Sequence, residues 1–247
     1  MYSPLKCKTL FTLNDNFIDN ILLKYEYPWE ILRDLKCIIE KIIDGGLDGY
    51  TRLYNNVLVG ENVQIADSAH IEGRCIICHG AVIRHGAYIR GDVIIGEGAT
   101  LGNSSEAKNS IMMKGSQAPH YNYVGDSILG IKAHLGAGAI CSNLRSDGQN
   151  VSIKLNNYTI ETGMRKLGAI LGDSVEIGCG AVLCPGTIIG KSTSVYPLTL
   201  ARGVYQSNSI VKSTYDLTPR KPLCYDQIRA NTHSVDFFFN IIHFILS

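Results

Sequence analysis

Residues 59–102 read VGENVQIADSAHIEGRCIICHGAVIRHGAYIRGDVIIGEGATLG, and an aliphatic side chain returns at every sixth position: Val59, Ile65, Ile71, Ile77, Ile83, Ile89, Ile95 and Leu101. Four residues after each of the first seven stands a small or β-branched residue: Val63, Ala69, Cys75, Ala81, Ala87, Val93 and Ala99. An α-helix cannot use a six-residue period, because 3.6 residues per turn would smear the apolar positions around the cylinder. A triangular coil can use it. Each six residues then make a short strand and a corner, the aliphatic residue points inward, and glycine or a polar residue takes the turn.

The register reappears at Leu129-Gly130 and Leu135-Gly136, and again at Leu171, Ile177, Leu183, Ile189 and Val195. Eight consecutive matches and a five-match return argue against coincidental spacing in a β-sandwich. The expected fold is all-β, a parallel β-helix of hexapeptide repeats spanning residues 57–207. Two segments break the pattern and are expected to be inserted loops, 103–126 and 145–168. In the second, Val151, Ile153 and Leu155 alternate before Asn156-Asn157, with Tyr158 and Ile160 beyond, which predicts a hairpin projecting from the coils.

Residues 1–56 are expected to form a helical cap. Pro28 opens a pattern in which Trp29, Leu32, Leu35, Ile39 and Ile42 share one face, and Gly45-Gly46 stop it. Such a helix would cover the first coil, whose strand edges otherwise invite aggregation. Residues 208–247 read as a tail without the period, ending in VDFFFNIIHFILS, which is apolar but too short to span a bilayer. Subunit or coil-end packing is the expected role of this tail.

The chain has 247 residues, 45% of them hydrophobic, and a formal net charge of +1. That balance gives no electrostatic case for nucleic acid or an anionic membrane surface. Eight scattered cysteines make no compact disulfide framework. The opening residues lack the order of a signal peptide, so the cytoplasm is the expected location.

The stretches EAKNSIMMKGSQAPHYNYVGDSILG (106–130), AHLGAGAICSNLRSD (133–147), RKLGAILGD (165–173) and PGTIIG (185–190) carry a family resemblance. They resemble the acetyltransferase domain of the bifunctional N-acetylglucosamine-1-phosphate uridyltransferase/glucosamine-1-phosphate acetyltransferases and of the related sugar-1-phosphate nucleotidylyltransferase/acetyltransferases. The resemblance covers roughly residues 57–205, and its most specific piece is H-x-x-Y-x-G-D followed by L-G-A-G and a later asparagine. It implies a left-handed helix, although ordinary parallel crossovers are right-handed. It also implies acetyl-CoA as co-substrate, no required metal, and a homotrimer with sites between subunits. No G-x-G-T-R-type segment is present and residues 1–56 are too few for a nucleotide-binding domain, so the nucleotidyltransferase half is expected to be missing.

Carried over by position, His120 is the implied general base, and Arg90 and Lys108 hold the sugar phosphate. Tyr123 and Asn143 bind and orient the acceptor. Ala137 faces the thioester carbonyl with its backbone amide, and Cys179 and Pro197 contact the coenzyme. The chemistry suits these residue types. A neutral imidazole accepts a proton near pH 7, phosphate wants paired cations, and a glycine-flanked amide can donate to an oxyanion. There are departures: Leu144 replaces a tyrosine, His134 an asparagine, and Gln149 and Ser152 stand where lysines follow the asparagine. Lys154 and Lys166 are the nearby substitutes, and spacing does not choose between them.

Two other readings stay open. One is a trimeric scaffold of the same fold without activity. The other is a γ-type carbonic anhydrase-like protein, suggested by IRGDVIIGEG, although the expected His-x4-His pair is missing.

Overall fold

A computed structural model describes residues 3–212 except 15, 55, 156 and 157. It is the left-handed parallel β-helix that the period and the resemblance call for, with helices, among the described residues, confined to the N-terminal segment. Three parallel sheets form three faces, and each strand pairs with its counterpart one coil away. The first face runs from Val57–Val59 through Cys75–Ile77, Val93–Ile95, Ser110–Met112, Ile128–Leu129, Ala169–Leu171 and Thr187–Ile189 to Val204–Tyr205. The second includes Thr100–Asn103, Gln117–His120, His134–Leu135, Glu176–Ile177 and Ser194–Val195. The third includes Tyr88–Ile89, Glu106–Lys108, Tyr123–Gly125, Ile140–Cys141 and Val182–Leu183.

The six-residue positions do point inward. Ile77, Ile83, Ile89, Ile95, Leu101, Leu129, Leu135 and Leu171 are fully or almost fully buried in one continuous core. Each such side chain contributes roughly 1.5–3 kcal/mol by leaving water. Cys75 lies in this core and Cys78 in a second apolar cluster, so that pair serves packing.

Residues 103–126 are not an inserted loop, which corrects the sequence expectation. They complete the coil through Glu106–Lys108, Ser110–Met112, Gln117–His120 and Tyr123–Gly125, all in parallel register. Here the inward rungs are Ala107, Met112, Ala118 and Val124, and the step from Ala107 to Met112 is one residue short. Small rungs and a shortened corner hide the period without interrupting the coil. The helix likewise outlasts residue 207, because Ile210–Val211 pairs in parallel with Ser194–Val195. Residues 213–247, with Cys224 and the apolar VDFFFNIIHFILS, lie outside the described residues.

The segment 145–168 does leave the coil. Ser152–Leu155 pairs antiparallel with Tyr158–Glu161, and the expected turn at 156–157 lies outside the described residues. Rather than projecting freely, its base is packed. Val151 and Ile153 are fully buried, and a Cβ added at Gly186 would come within 2.7 Å of Val151 Cγ1.

The long helix Pro28–Gly45 begins with Pro28 in its first turn, while Glu30 accepts the Tyr27 N–H at 3.0 Å. It buries Trp29, Ile31, Leu32, Leu35, Ile39 and Ile43, with Ile42 only half-buried. Its place differs from the expected one. Its apolar side joins Leu58, Ile76, Ile94, Ile111, Ile128, Ile170 and Ile188, the outward residues of the first face. The helix therefore covers a flank of the solenoid, and the first coil's edge is paired instead by the antiparallel strand Thr51–Tyr54. No helix among the described residues is long and apolar enough to cross a membrane.

Candidate active site

Four of the eight sequence-chosen residues stack in one column at the corner between the second and third faces. The Gly138 N–H donates to the His120 carbonyl at 3.0 Å, Gly180 N–H to Ala137 O at 2.8 Å, and Leu198 N–H to Cys179 O at 2.9 Å. His120, Ala137, Cys179 and Pro197 thus succeed one another coil by coil, at the roughly 4.8 Å spacing of paired strands. Close stacking at this corner depends on glycine. A Cβ on Gly178 would sit 2.4 Å from Pro197 N, and one on Gly136 would sit 2.7 Å from Cys179 N. All four residues are exposed, and the Ala137 N–H donates to no group among the described residues.

The other four meet on the third face, which His120 enters through Tyr121 and Asn122. Asn143 Nδ2 donates to the Tyr123 hydroxyl at 3.1 Å and to Asp126 Oδ2. Lys108 Nζ lies 3.6 Å from the same Asp126 oxygen, and Asn109 donates to the other at 2.8 Å. Arg90 is one coil away from Lys108 and pairs with Glu106 at 2.7 Å. Burial raises the Tyr123 phenol above its ordinary pKa, the Asn143 bond works against that, and Asp126 and Glu106 add to it, so the hydroxyl stays neutral at pH 7. Its ring folds over Gly125, where a Cβ would come within 2.5 Å of the hydroxyl.

Sequence reasoning missed Asp126, Glu106 and Asn122. Asp126 ends the quoted H-x-x-Y-x-G-D motif, yet only the fold reveals that it is 4% exposed and binds Asn109, Asn143 and Lys108 together. Of the two lysines left open, the fold brings Lys166 to the site's edge. Leu144 and Lys166 form an antiparallel bridge, and the Leu167 N–H donates to Asn143 O at 3.0 Å. Lys166 is exposed and forms no ion pair with a described residue, whereas Lys154 sits in the hairpin opposite Thr159. Among the described residues no three His, Cys, Asp or Glu side chains are grouped to hold a metal ion.

Residues 71–164 match the family model described as the GMPPB C-terminal domain. A bifunctional sugar-1-phosphate nucleotidylyltransferase/acetyltransferase of Sulfurisphaera tokodaii is 33% identical over 69% of this chain and 43% of its own length. Bifunctional GlmU proteins of Methanococcus maripaludis and Methanocaldococcus jannaschii are 37% and 36% identical, over 79% and 78% of this chain and 48% of each relative. This chain resembles the acetyltransferase region of the GlmU-type proteins. It spans less than half the length of these curated relatives. A solved acetyltransferase domain of PglB from Neisseria gonorrhoeae, in complex with acetyl coenzyme A, overlaps 78% of this chain and 66% of its own at 16% identity, with a TM-score of 0.29. PerB from Caulobacter crescentus, solved with CoA and GDP-perosamine, overlaps 63% and 54% at 15% identity, with a TM-score of 0.28. Overlaps this loose carry no argument about the site.

The arrangement has the parts that acyl transfer needs. An exposed imidazole and an unengaged N–H sit on adjacent coils, beside a polar face with a neutral phenol, an amide and cations.

Proposed function

We propose that this chain transfers the acetyl group of acetyl-CoA to the amino group of a sugar phosphate, with glucosamine-1-phosphate as the model acceptor. The observation that carries the reading is the 3.0 Å bond from Gly138 N–H to His120 O, which stacks the imidazole-bearing residue directly against the Ala137 turn. The acceptor amine attacks the thioester carbon, a C–N bond forms, and the carbonyl oxygen gains negative charge beside the Ala137 N–H. His120 takes the proton from the attacking nitrogen. The C–S bond then breaks, and the CoA thiolate leaves to be protonated. General-base help of this kind is typically worth about 10²–10⁴ in rate.

The pantetheine arm would follow the corner column past Cys179 and Pro197, outside the aliphatic core. Tyr123 and Asn143 orient the sugar. Arg90 and Lys108 address its phosphate, and Lys166 adds a cation that no described carboxylate neutralises. A homotrimer in the cytoplasm, with acetyl-CoA as co-substrate and no metal, completes the proposal.

The pairing of Arg90 with Glu106 and Lys108 with Asp126 favours a second reading, a scaffold of this fold without turnover. Free-thiol release from acetyl-CoA, measured over a panel of amino-sugar phosphates, separates the two. Acceptor-dependent release that is lost in His120→Ala supports transfer; no release with any acceptor supports the scaffold.

A further inference from the structure

Asn122 lies between His120 and Tyr123 in the corner and is 2% exposed. Its slot recurs coil by coil, because the backbone bonds Tyr88 N–H to Ser105 O, Glu106 N–H to Asn122 O, Tyr123 N–H to Ala139 O and Ile140 N–H to Ala181 O align these positions. Ser105 fills the slot one coil before, and Ala139 and Ala181 fill it in the coils after. The coil itself therefore asks only for a small residue there. An amide in that slot needs partners, since an unbonded buried one is destabilising.

Its partners are the two segments that carry the proposed chemistry. Asn122 Oδ1 accepts the His120 N–H at 3.0 Å. Nδ2 donates to Gly136 O at 2.8 Å and to Ala139 O at 3.3 Å, the residues on either side of Ala137-Gly138. One side chain thus grips the His120 backbone and both ends of the Ala137 turn. The backbone N–H of Asn122 is held by Ser105 Oγ at 3.0 Å, which fixes the amide from below.

We infer that Asn122 is a positioning residue for acyl transfer, setting the separation of His120 and the Ala137 N–H so that the imidazole meets the attacking amine while the N–H meets the carbonyl oxygen of the same thioester. The inference rests on the acyl-transfer reading. It also makes the corner more than a stack of strands: alanine would preserve the coil, as at Ala139 and Ala181, but would remove the three side-chain bonds and leave the two catalytic segments joined through the Gly138 N–H bond to His120 O. Misplacement of reacting groups by about 1 Å can cost on the order of 10²-fold in rate.

The test is a double-mutant cycle with acetyl-CoA and glucosamine-1-phosphate, following thiol release in wild type, His120→Ala, Asn122→Ala and the double variant. Asn122→Ala is expected to keep the wild-type circular dichroism and both KM values within about threefold, while kcat falls on the order of 10²-fold. In the His120→Ala background the same change is expected to leave the residual rate within about threefold, because there is no longer a base to align. Equal losses in both backgrounds, or a folded Asn122→Ala with wild-type kcat, overturn the positioning role. An inactive wild type, or a His120→Ala variant as active as wild type, overturns the acyl-transfer reading itself and this inference with it. If Asn122→Ala does not fold, Asn122→Ser, which repeats the residue of the slot below, gives the same cycle with the same outcomes.

Discussion

Arg90 Nη1 lies 2.7 Å from Glu106 Oε1, so one cation assigned to the acceptor phosphate is already paired within its own chain. Both side chains reach solvent, where ion pairs contribute only about 0–1 kcal/mol, so a phosphate can compete for the guanidinium. Glu106→Gln keeps the shape and removes the competing charge. It is expected to lower KM for glucosamine-1-phosphate several-fold and to leave KM for glucosamine, which lacks the phosphate, unchanged, as read by steady-state thiol release. Equal effects on both acceptors would mean that Arg90 does not meet the phosphate.

Gly125→Ala tests the phenol in the same cluster. The added Cβ would lie 2.5 Å from the Tyr123 hydroxyl and 2.6 Å from Cε1, so the ring must swing away from Asn143. A ring that moves costs little stability. The thermal midpoint is therefore expected to hold within a few degrees while KM for the acceptor rises about tenfold and KM for acetyl-CoA does not. A rise in both would place Tyr123 in general folding of the site rather than in acceptor binding.

The cysteines divide by burial, and that division can be read by alkylation. Burial pushes the thiols of Cys7, Cys75, Cys78 and Cys141 up to about 12, which keeps them protonated and unreactive in the folded chain. Cys37 and Cys179 are exposed. Among the described cysteines, brief iodoacetamide treatment, read by peptide mass spectrometry, is expected to label Cys37 and Cys179 first. Coenzyme A should protect Cys179, on the corner column, and leave Cys37, on the long helix, unchanged. The same four shifts set an alkaline limit. Because the folded pKa values are raised, the stability held by the neutral thiols is complete below about pH 9. It is lost as pH climbs toward about 12, so the denaturant midpoint should fall across that window.

Asp173 ties the N-terminal segment to the coils. It is 7% exposed, accepts the Thr12 N–H at 2.6 Å and the Ile131 N–H at 2.9 Å, and pairs with Lys191 at 3.1 Å. Asp173→Ala leaves two N–H groups without that acceptor, at about 1–3 kcal/mol for each that stays buried. Limited proteolysis should then cut between residues 10 and 30 far faster than in wild type. Cleavage at the wild-type rate would show that the apolar flank alone holds the segment.

The stretch 59–102 declared its architecture because every inward rung there is aliphatic and every corner is full length. Residues 103–126 concealed the same architecture, since Ala107 and Ala118 are weak rungs and the Ala107–Met112 step is short. The helix Pro28–Gly45 was plain from Pro28 and its apolar face, but amphipathicity does not say which surface is covered, and the flank, not the end, takes it. In the site, the resemblance supplies the positions His120, Ala137, Cys179 and Pro197, but the step from Ala137 to Cys179 spans the 145–168 segment that leaves the coil, so their single column comes from the folded register. The polar contacts do not follow. Asn122 reaches Gly136 and Ala139, and Asp126 gathers Lys108 and Asn143, across coil steps of 14 to 18 residues that only the folded register brings together.

A crystal structure with bound coenzyme A bears most directly on acyl transfer at this corner. The pantetheine is predicted to run along Pro197 and Cys179 and to bring its sulfur beside the Ala137 N–H, within reach of the His120 imidazole of the same or an adjoining subunit. Coenzyme A seated on another corner, with its sulfur remote from every His120 in the assembly, would contradict it.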